Sequence, residues 1–266
     1  MRLLYMSNHA PSVELSDVGY EYPNGLRALD AVDLTVRAGE IVALVGPSGC
    51  GKSTLLSLIS GLIEPTAGAI RVHGEDGKKR LGRFSLMPQK DLLLPWRSAL
   101  GNASLLLEAA GVSRTLARGQ ALAMLKQLRL DEFAEASPRS LSGGMRQRIA
   151  LIRTFLPGRD VLLDEPFGAL DAITRAALQE WLQGLHAVTP RSILLVTHDV
   201  EEAVLLGDRV YLMSSRPGRI IFEQEIPLER PRTISLTGKP EFTRLKSALL
   251  DRLRSALRLG GEPWAA

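Results

Sequence analysis

The residues Gly46-Pro47-Ser48-Gly49-Cys50-Gly51-Lys52-Ser53 run as G-x-x-x-x-G-K-S, and each type answers a need of a phosphate-bearing ligand. Glycines at 46, 49 and 51 accept positive φ and let the backbone approach oxygens with no Cβ in the way. The amides of such a loop converge at the positive end of the helix that begins near Lys52. Lys52 would bridge the β- and γ-phosphate oxygens, and the Ser53 hydroxyl would hold Mg²⁺. Pro47, Ser48, Cys50 and Thr54 complete the expected ATP-binding stretch. Cys50 fits as a small residue in a tight turn, and its thiol offers a point of attack for alkylating reagents.

A second set of candidates lies more than a hundred residues on. Asp164 closes the apolar run Val161-Leu162-Leu163, and Glu165 follows directly. The aspartate can reach Mg²⁺, directly or through water, and the adjacent carboxylate can polarise an attacking water as general base. Alone, such a pair reads equally well as a solvated turn; the upstream phosphate loop favours chemistry. His198 ends the next apolar strand, where a neutral imidazole could meet the γ-phosphate, although by itself it would read as a core or strand-end histidine. His9, His73 and His186 have no comparable setting.

These groups need a scaffold that brings distant segments to one edge. Val13–Val18 and Leu29–Val36 alternate apolar and polar residues, as half-buried strands do. Ile41–Val45 is apolar throughout, as in a parallel strand covered on both faces; a helix-like run over Thr54–Ile63 follows it. Further all-apolar strands precede Asp164 and Thr197-His198, separated by a helical stretch over Ala172–Ala187. That alternation predicts an α/β core with a parallel sheet. Between about residues 89 and 157 strand signals vanish, and helical segments over Ser98–Gly111, Arg114–Leu130 and Gly143–Phe155 indicate an insertion into the core. Glu229–Pro240 reads as a loop. It leads into a last helix whose stripe of Phe242, Leu245, Leu249, Leu253 and Leu257 is expected to dock on the body.

Composition narrows the class. The 266 residues are 45% hydrophobic and 23% charged, with a formal charge of +4 from 33 basic and 29 acidic side chains. No apolar run approaches the ~20 residues a membrane span needs, and the N-terminal MRLLYMSNHAPS has too short an apolar core for a signal peptide. A single cysteine precludes an internal disulfide, which agrees with a reducing compartment. The one tight basic run, Lys78-Lys79-Arg80, reads as a solvated loop. With no basic stripe or recognisable module, no nucleic-acid partner is expected.

Leu141-Ser142-Gly143-Gly144, followed by Met-Arg-Gln-Arg, makes the pattern specific: a second glycine-rich helix start, another anion receptor but without a lysine. The sequence resembles the ABC ATPase family, of which LSGG is the signature. The resemblance spans about residues 12–225. It implies a P-loop NTPase (RecA-like) core with an N-terminal antiparallel β subdomain and an inserted α-helical subdomain. Expected boundaries are an ATPase domain over 12–228, with core 12–88 and 158–228 and helical insertion 89–157, and a C-terminal extension over 229–266. It implies a head-to-tail dimer, of two copies or of this chain with a paralogue, in which Leu141–Gly144 of one subunit cap the γ-phosphate on the other. Tyr22 matches the aromatic that stacks on adenine, with Tyr20 as a weaker substitute. Gln89 matches the glutamine that touches Mg²⁺ and the attacking water. Asp164 corresponds to the Mg²⁺-associated aspartate, Glu165 to the catalytic base, Asp171 to the loop between subunits and His198 to the switch histidine. Two departures stand out: three apolar residues precede Asp164 where four are usual, which shortens the strand or shifts its start, and Met87-Pro88 precedes Gln89 where an aromatic is commoner.

Within the family, Asp91–Asn102 (DLLLPWRSALGN) and Met213–Ile220 (MSSRPGRI) are similar to importer ATPases of the nitrate/sulfonate/taurine group. The implied partners are an integral-membrane permease received on the Gln89–Arg97 region and, indirectly, a solute-binding protein. The implied location is the cytoplasmic face of the inner membrane. Leu94, Pro95 and Trp96 suit a protein contact, unless Trp96 packs beneath its loop. Competing readings are a soluble ABC ATPase acting on nucleic acid or in repair, an accessory subunit that clamps an assembly and turns over little, and a non-enzymatic binding module. A single P-loop, one cysteine and no long heptad run weigh against the first, the Pro95-Trp96-Arg97 segment against the second, and Glu165, Asp164 and His198 against the third. Nitrate, sulfonates, taurine and small heterocyclic precursors are the cargoes the resemblance allows.

Overall fold

The computed structural model describes residues 10–76 and 79–259, with side chains through 256. His9, Lys78 and the side chain of Leu257 therefore fall outside the described residues. Strands β1 (Val13–Glu21), β2 (Arg27–Val36), β4 (Ala67–Val72) and β5 (Glu75–Asp76) form an antiparallel sheet in the order β2-β1-β4-β5. The second sheet orders β10 (Ile220–Glu225), β9 (Arg209–Met213), β3 (Ile41–Val45), β8 (Ile193–Thr197), β7 (Asp160–Asp164) and β6 (Phe84–Met87). Four of its five pairings are parallel, and the edge strand β10 runs antiparallel to β9. The architecture is α/β.

Every residue of β3 is buried, and the reason is visible in where alternate side chains go. Val42 and Leu44 join a cluster with Val32 and Leu34 of β2 and with Leu55, Leu56 and Ile59 of α1 (Lys52–Ser60). Ala43 and Val45 face the opposite way, into a cluster with α7 (Val200–Leu206) and α8 (Pro240–Leu259). Between β6 and β7 the chain is helical: α2 (Ala99–Ala103), α3 (Leu105–Ala109), α4 (Arg114–Gln127) and α5 (Gly143–Phe155). Leu100, Ala121, Leu125 and Ile149 carry this region's core into Leu163 and Leu195 of the sheet and Leu182 of α6 (Ala172–Val188). In α8, Phe242 and Leu249 are fully buried and Leu245 and Leu253 pack beside them, so the stripe docks on the body.

Several expectations need correction. The helix after the phosphate loop ends at Ser60, because Gly61 takes a left-handed conformation (φ 78°) and closes it. The strand before Asp164 is not short: it starts at Asp160, whose carboxylate accepts from the Ser12 hydroxyl and from the Ser192 amide, and it matches β3 and β8 in length. Arg80 is not solvated. It is 4% exposed, donating from Nε to Leu58 O (3.0 Å) and from Nη2 to Glu64 (2.7 Å), so its charge sits at the negative end of α1.

The segment Glu229–Pro240 is likewise more than a loop. It contains a 3₁₀ turn over Ile234–Gly238, and Arg232 within it is almost wholly buried. The Arg232 guanidinium donates to the carbonyls of Val204 and Gly207 at the end of α7 and of Ile226 and Leu228 just before its own segment. A buried carbonyl stripped of its donor costs about 1–3 kcal/mol. Arg232→Ala should therefore lower unfolding free energy by about 3 kcal/mol or more, read as a shifted denaturant midpoint; a loss below about 1 kcal/mol would contradict this account.

Candidate functional site

The phosphate-type loop joins β3 to α1. Gly51 has φ 109°, and a Cβ there would sit 2.7 Å from Leu29 Cδ2 and 3.0 Å from Ala28 O, so only glycine fits. Gly51 is also the N-cap of α1 and supplies no side-chain acceptor. By contrast α5, α6 and α7 are capped by their own Ser142, Asp171 and Asp199. The first-turn amides of α1 thus suit an acceptor from outside the chain. Lys52 is 6% exposed, and its Nζ donates to Gly46 O and Pro47 O at 2.8 Å each, which folds the loop around the ammonium. Cys50 is buried beneath. Burial pushes its thiol pKa up, with Lys52 opposing, and the side chain is not presented to solvent.

The acidic pair stands at the end of β7, one strand from β8. Asp164 is buried; burial raises its pKa, a hydrogen bond from the Ser53 hydroxyl lowers it, the Glu165 charge raises it and Lys52 lowers it. Glu165 has φ 47°, a left-handed conformation that costs a non-glycine residue about 1–2 kcal/mol. Its amide donates to Val196 O at 2.9 Å. Its Oε2 accepts from Gln89 Nε2 (3.1 Å) and lies 3.2 Å from His198 Nδ1. The Ser53 hydroxyl, the Asp164 carboxylate and the Gln89 amide are hard oxygen donors of the kind Mg²⁺ takes, and Ser53 lies near enough to Asp164 to lower its pKa. The residues fit such an ion.

A cleft of about 420 Å³ opens over this edge, lined by Tyr22, Leu26, Ala28, Ser48, Gly49, Gly51, Lys52, Ser53, Thr54, Gln89, Glu165 and Arg216. Tyr22 reaches Thr54 Oγ1 through its hydroxyl (2.9 Å) and meets Tyr20 edge to face, while Tyr20 packs against the core; of the two, Tyr22 faces the cleft. Leu141, Ser142, Gly143 and Gly144 do not line it. They open α5 elsewhere, with Ser142 exposed and its hydroxyl accepting from the Met145 amide at 3.2 Å. Asp171 caps α6, where the Thr174 amide holds its carboxyl below the usual range. Sequence reasoning missed Arg216, which donates to Gly49 O, and Arg153, which holds the Asp91 and Leu92 carbonyls from α5. Arg216 lies within the Met213–Ile220 segment already singled out, but only the fold shows that its side chain reaches the loop; Arg153 belongs to no such segment. His186 is a core histidine: its Nε2 lies 3.1 Å from Gly39 O and from Arg191 O, and burial lowers its pKa.

A family model described as ABC transporter matches residues 29–168. Among curated relatives, the taurine import ATP-binding protein TauB of Rhizobium johnstonii is 39% identical over 240 residues, covering 88% of this chain and 92% of that protein. An aliphatic sulfonates import ATP-binding protein, SsuB 1 of Rhodococcus jostii, is 44% identical over 245 residues, covering 92% and 94%. A solved dimeric, post-hydrolysis state of the ATP-binding cassette MJ0796 with ADP and phosphate superposes with TM-score 0.74 at 30% identity, covering 82% of this chain and all of that one. The chain belongs to the ABC transporter family. Within it, the chain is an ATP-binding ATPase subunit similar to those of the taurine and aliphatic sulfonate importers.

Behind Glu165 and His198 lies a buried carboxyl that no motif announces. Glu202 is 5% exposed on α7, accepts from Thr197 Oγ1 at 3.3 Å, and faces the charges of Asp199, Arg175 and Glu165. Burial first, then Asp199, pushes its pKa from 4.5 up to about 8. The folded state therefore keeps a proton that the unfolded chain releases above 4.5, and stability drains away as pH rises between those values. Glu202→Gln, which fixes the neutral form, should match wild type near pH 4.5 and exceed it by roughly 1–3 kcal/mol near pH 8. Thermal unfolding across that range would reveal the growing gap, and a constant difference would refute it.

Proposed function

We propose that this chain is the ATP-hydrolysing motor of an ABC importer, working as a dimer beneath a separate permease. The observation that carries this reading is Glu165, placed beside the phosphate loop and held by Gln89 on one side and His198 on the other. Gly46–Thr54 would bind the triphosphate, with Lys52 turning from the loop carbonyls to phosphate oxygens and Tyr22 against the base. Ser53, Asp164 and Gln89 would hold Mg²⁺, which when bound neutralises charge developing on the phosphates. Glu165 would take the proton of the attacking water, with His198 fixing the γ-phosphate and Glu165 relative to each other.

Ser142 and Gly143, exposed and outside the cleft, suit a role on the nucleotide of a second copy together with Leu141 and Gly144 beside them, with Asp171 at the same boundary. The dimeric solved cassette at 30% identity supports that pairing. On this reading residues 12–228 form the ATPase domain and 229–266 an extension. The permease would seat on the Gln89–Arg97 region. Leu92 is 59% and Trp96 77% exposed, so Trp96 does not pack under its loop, and Arg153 gives that loop a fixed base. No helix among the described residues is long and apolar enough to cross a membrane, so attachment would be peripheral, on the cytoplasmic face of the inner membrane. The importer names of the relatives favour uptake of a small solute of the sulfonate, taurine or nitrate kind, or a heterocyclic precursor, delivered by a solute-binding protein, over a free-standing ATPase.

Glu165→Gln should cut turnover by about a hundredfold or more while ATP now holds a dimer on gel filtration; a variant that stays monomeric at saturating ATP, or hydrolyses normally, would count against the mechanism. Trp96→Ala should leave basal ATPase of the isolated subunit within about twofold yet weaken co-purification with its permease by about tenfold or more. Undiminished co-purification would remove Trp96 from the contact.

A further inference from the structure

We infer that Arg216 is a further residue of the nucleotide site, a positioning residue that holds the phosphate loop by its Gly49 carbonyl and thereby sets affinity for the phosphate chain. The inference rests on the ATP-binding reading above and deepens it.

The turn between β9 and β10 closes directly on the loop. A Cβ on Gly218 would stand 2.2 Å from Cys50 O, and one on Gly46 would stand 3.0 Å from Met213. Gly218 is also stitched to the neighbouring strand, donating to Ala28 O at 2.9 Å and accepting from the Asp30 amide at 3.0 Å. From this anchored turn, Arg216 sends Nε and Nη2 to a single acceptor, Gly49 O, at 3.1 and 2.8 Å.

Gly49 sits at φ 77° with no side chain to restrain it, so the peptide after it can rotate. A carbonyl turned into the cleft would set its negative end against phosphate oxygens. Two hydrogen bonds from a charged donor keep it turned to Arg216 instead.

The electrostatic setting points the same way. The neighbouring Arg219 and Arg27 both pair with the one carboxylate of Asp30, which holds them there. Arg216 has no carboxylate partner among the described residues, and it lines the cleft with Lys52 and Ser53. Nε and Nη2 are committed to Gly49, which leaves Nη1 for an oxygen of a bound ligand.

Binding of a fluorescent ATP analogue, competed by ATP, ADP and adenosine, tests this on the full chain. Arg216→Ala should weaken ATP and ADP about tenfold, raise KM to match and leave kcat within about twofold, since a charged hydrogen-bond pair is lost before chemistry begins. Adenosine, which has no phosphate, should be unaffected. Arg216→Lys should recover part of the affinity, because one ammonium can still reach Gly49 O but cannot fork. If Arg216→Ala proves unfolded by its melting curve, Arg216→Lys and Arg216→Gln carry the comparison. ATP affinity unchanged within twofold in the folded variants, or equal weakening for adenosine, would overturn the inference. Lys52→Ala is the reference: wild type that binds no ATP defeats the nucleotide reading itself, whereas wild type that binds while the Arg216 variants match it defeats only the present proposal.

Discussion

Helix α1 opens on Gly51, so its first amides and the positive end of its dipole have no internal cap. That lack recurs in what surrounds it. The antiparallel sheet presses Leu29 and Ala28 against Gly51 so closely that no larger residue fits, and the β9–β10 turn seals the other side through Gly218. Lys52 is buried among the loop's own carbonyls. Helices α5, α6 and α7 are instead finished by Ser142, Asp171 and Asp199.

Two adjacent carboxyls at the end of β7 are kept in different environments. Asp164 continues the strand into the interior, against Ser53, where burial opposes its charge. The left-handed turn at Glu165 then sends the next side chain outward to Gln89 and His198. Backbone strain of this sort persists only where neighbours over-determine it, and here the Val196 carbonyl fixes the Glu165 amide. Neighbouring acids with divergent surroundings divide their labour: one suits a cation, the other a proton.

Much of this was legible in the sequence because it is local. The alternation of β2, the uniform apolarity of β3 and β8 and the order glycine loop, helix, acid, histidine each depend on residues within a few positions of one another. What was missed depends on contacts across long separations. Arg80 was read as one of three basic residues in a solvated run, yet it reaches back to Leu58 and Glu64 at the end of α1. Arg232 sits in a segment of loop-like composition, and only its approach to Val204 and Gly207 explains its burial. Arg216 meets Gly49 from 167 positions away. Long cations are the residues whose role local pattern predicts worst, because a flexible stem lets composition say surface while geometry says interior. Asp160 shows the same for strands: a polar first residue hid the true start of β7.

The parallel register has a consequence for how such a protein can change. Val45 pairs with Thr197, and Asp164 with Val196, so β8 lies locked between the strand feeding the glycine loop and the strand feeding the acids. Sliding β8 by one position would exchange its two faces; sliding it by two would carry His198 roughly 6.6 Å from Glu165. The sheet therefore acts as a ruler: loops at its rim can change length or composition while the spacing between histidine and glutamate stays calibrated by buried strands.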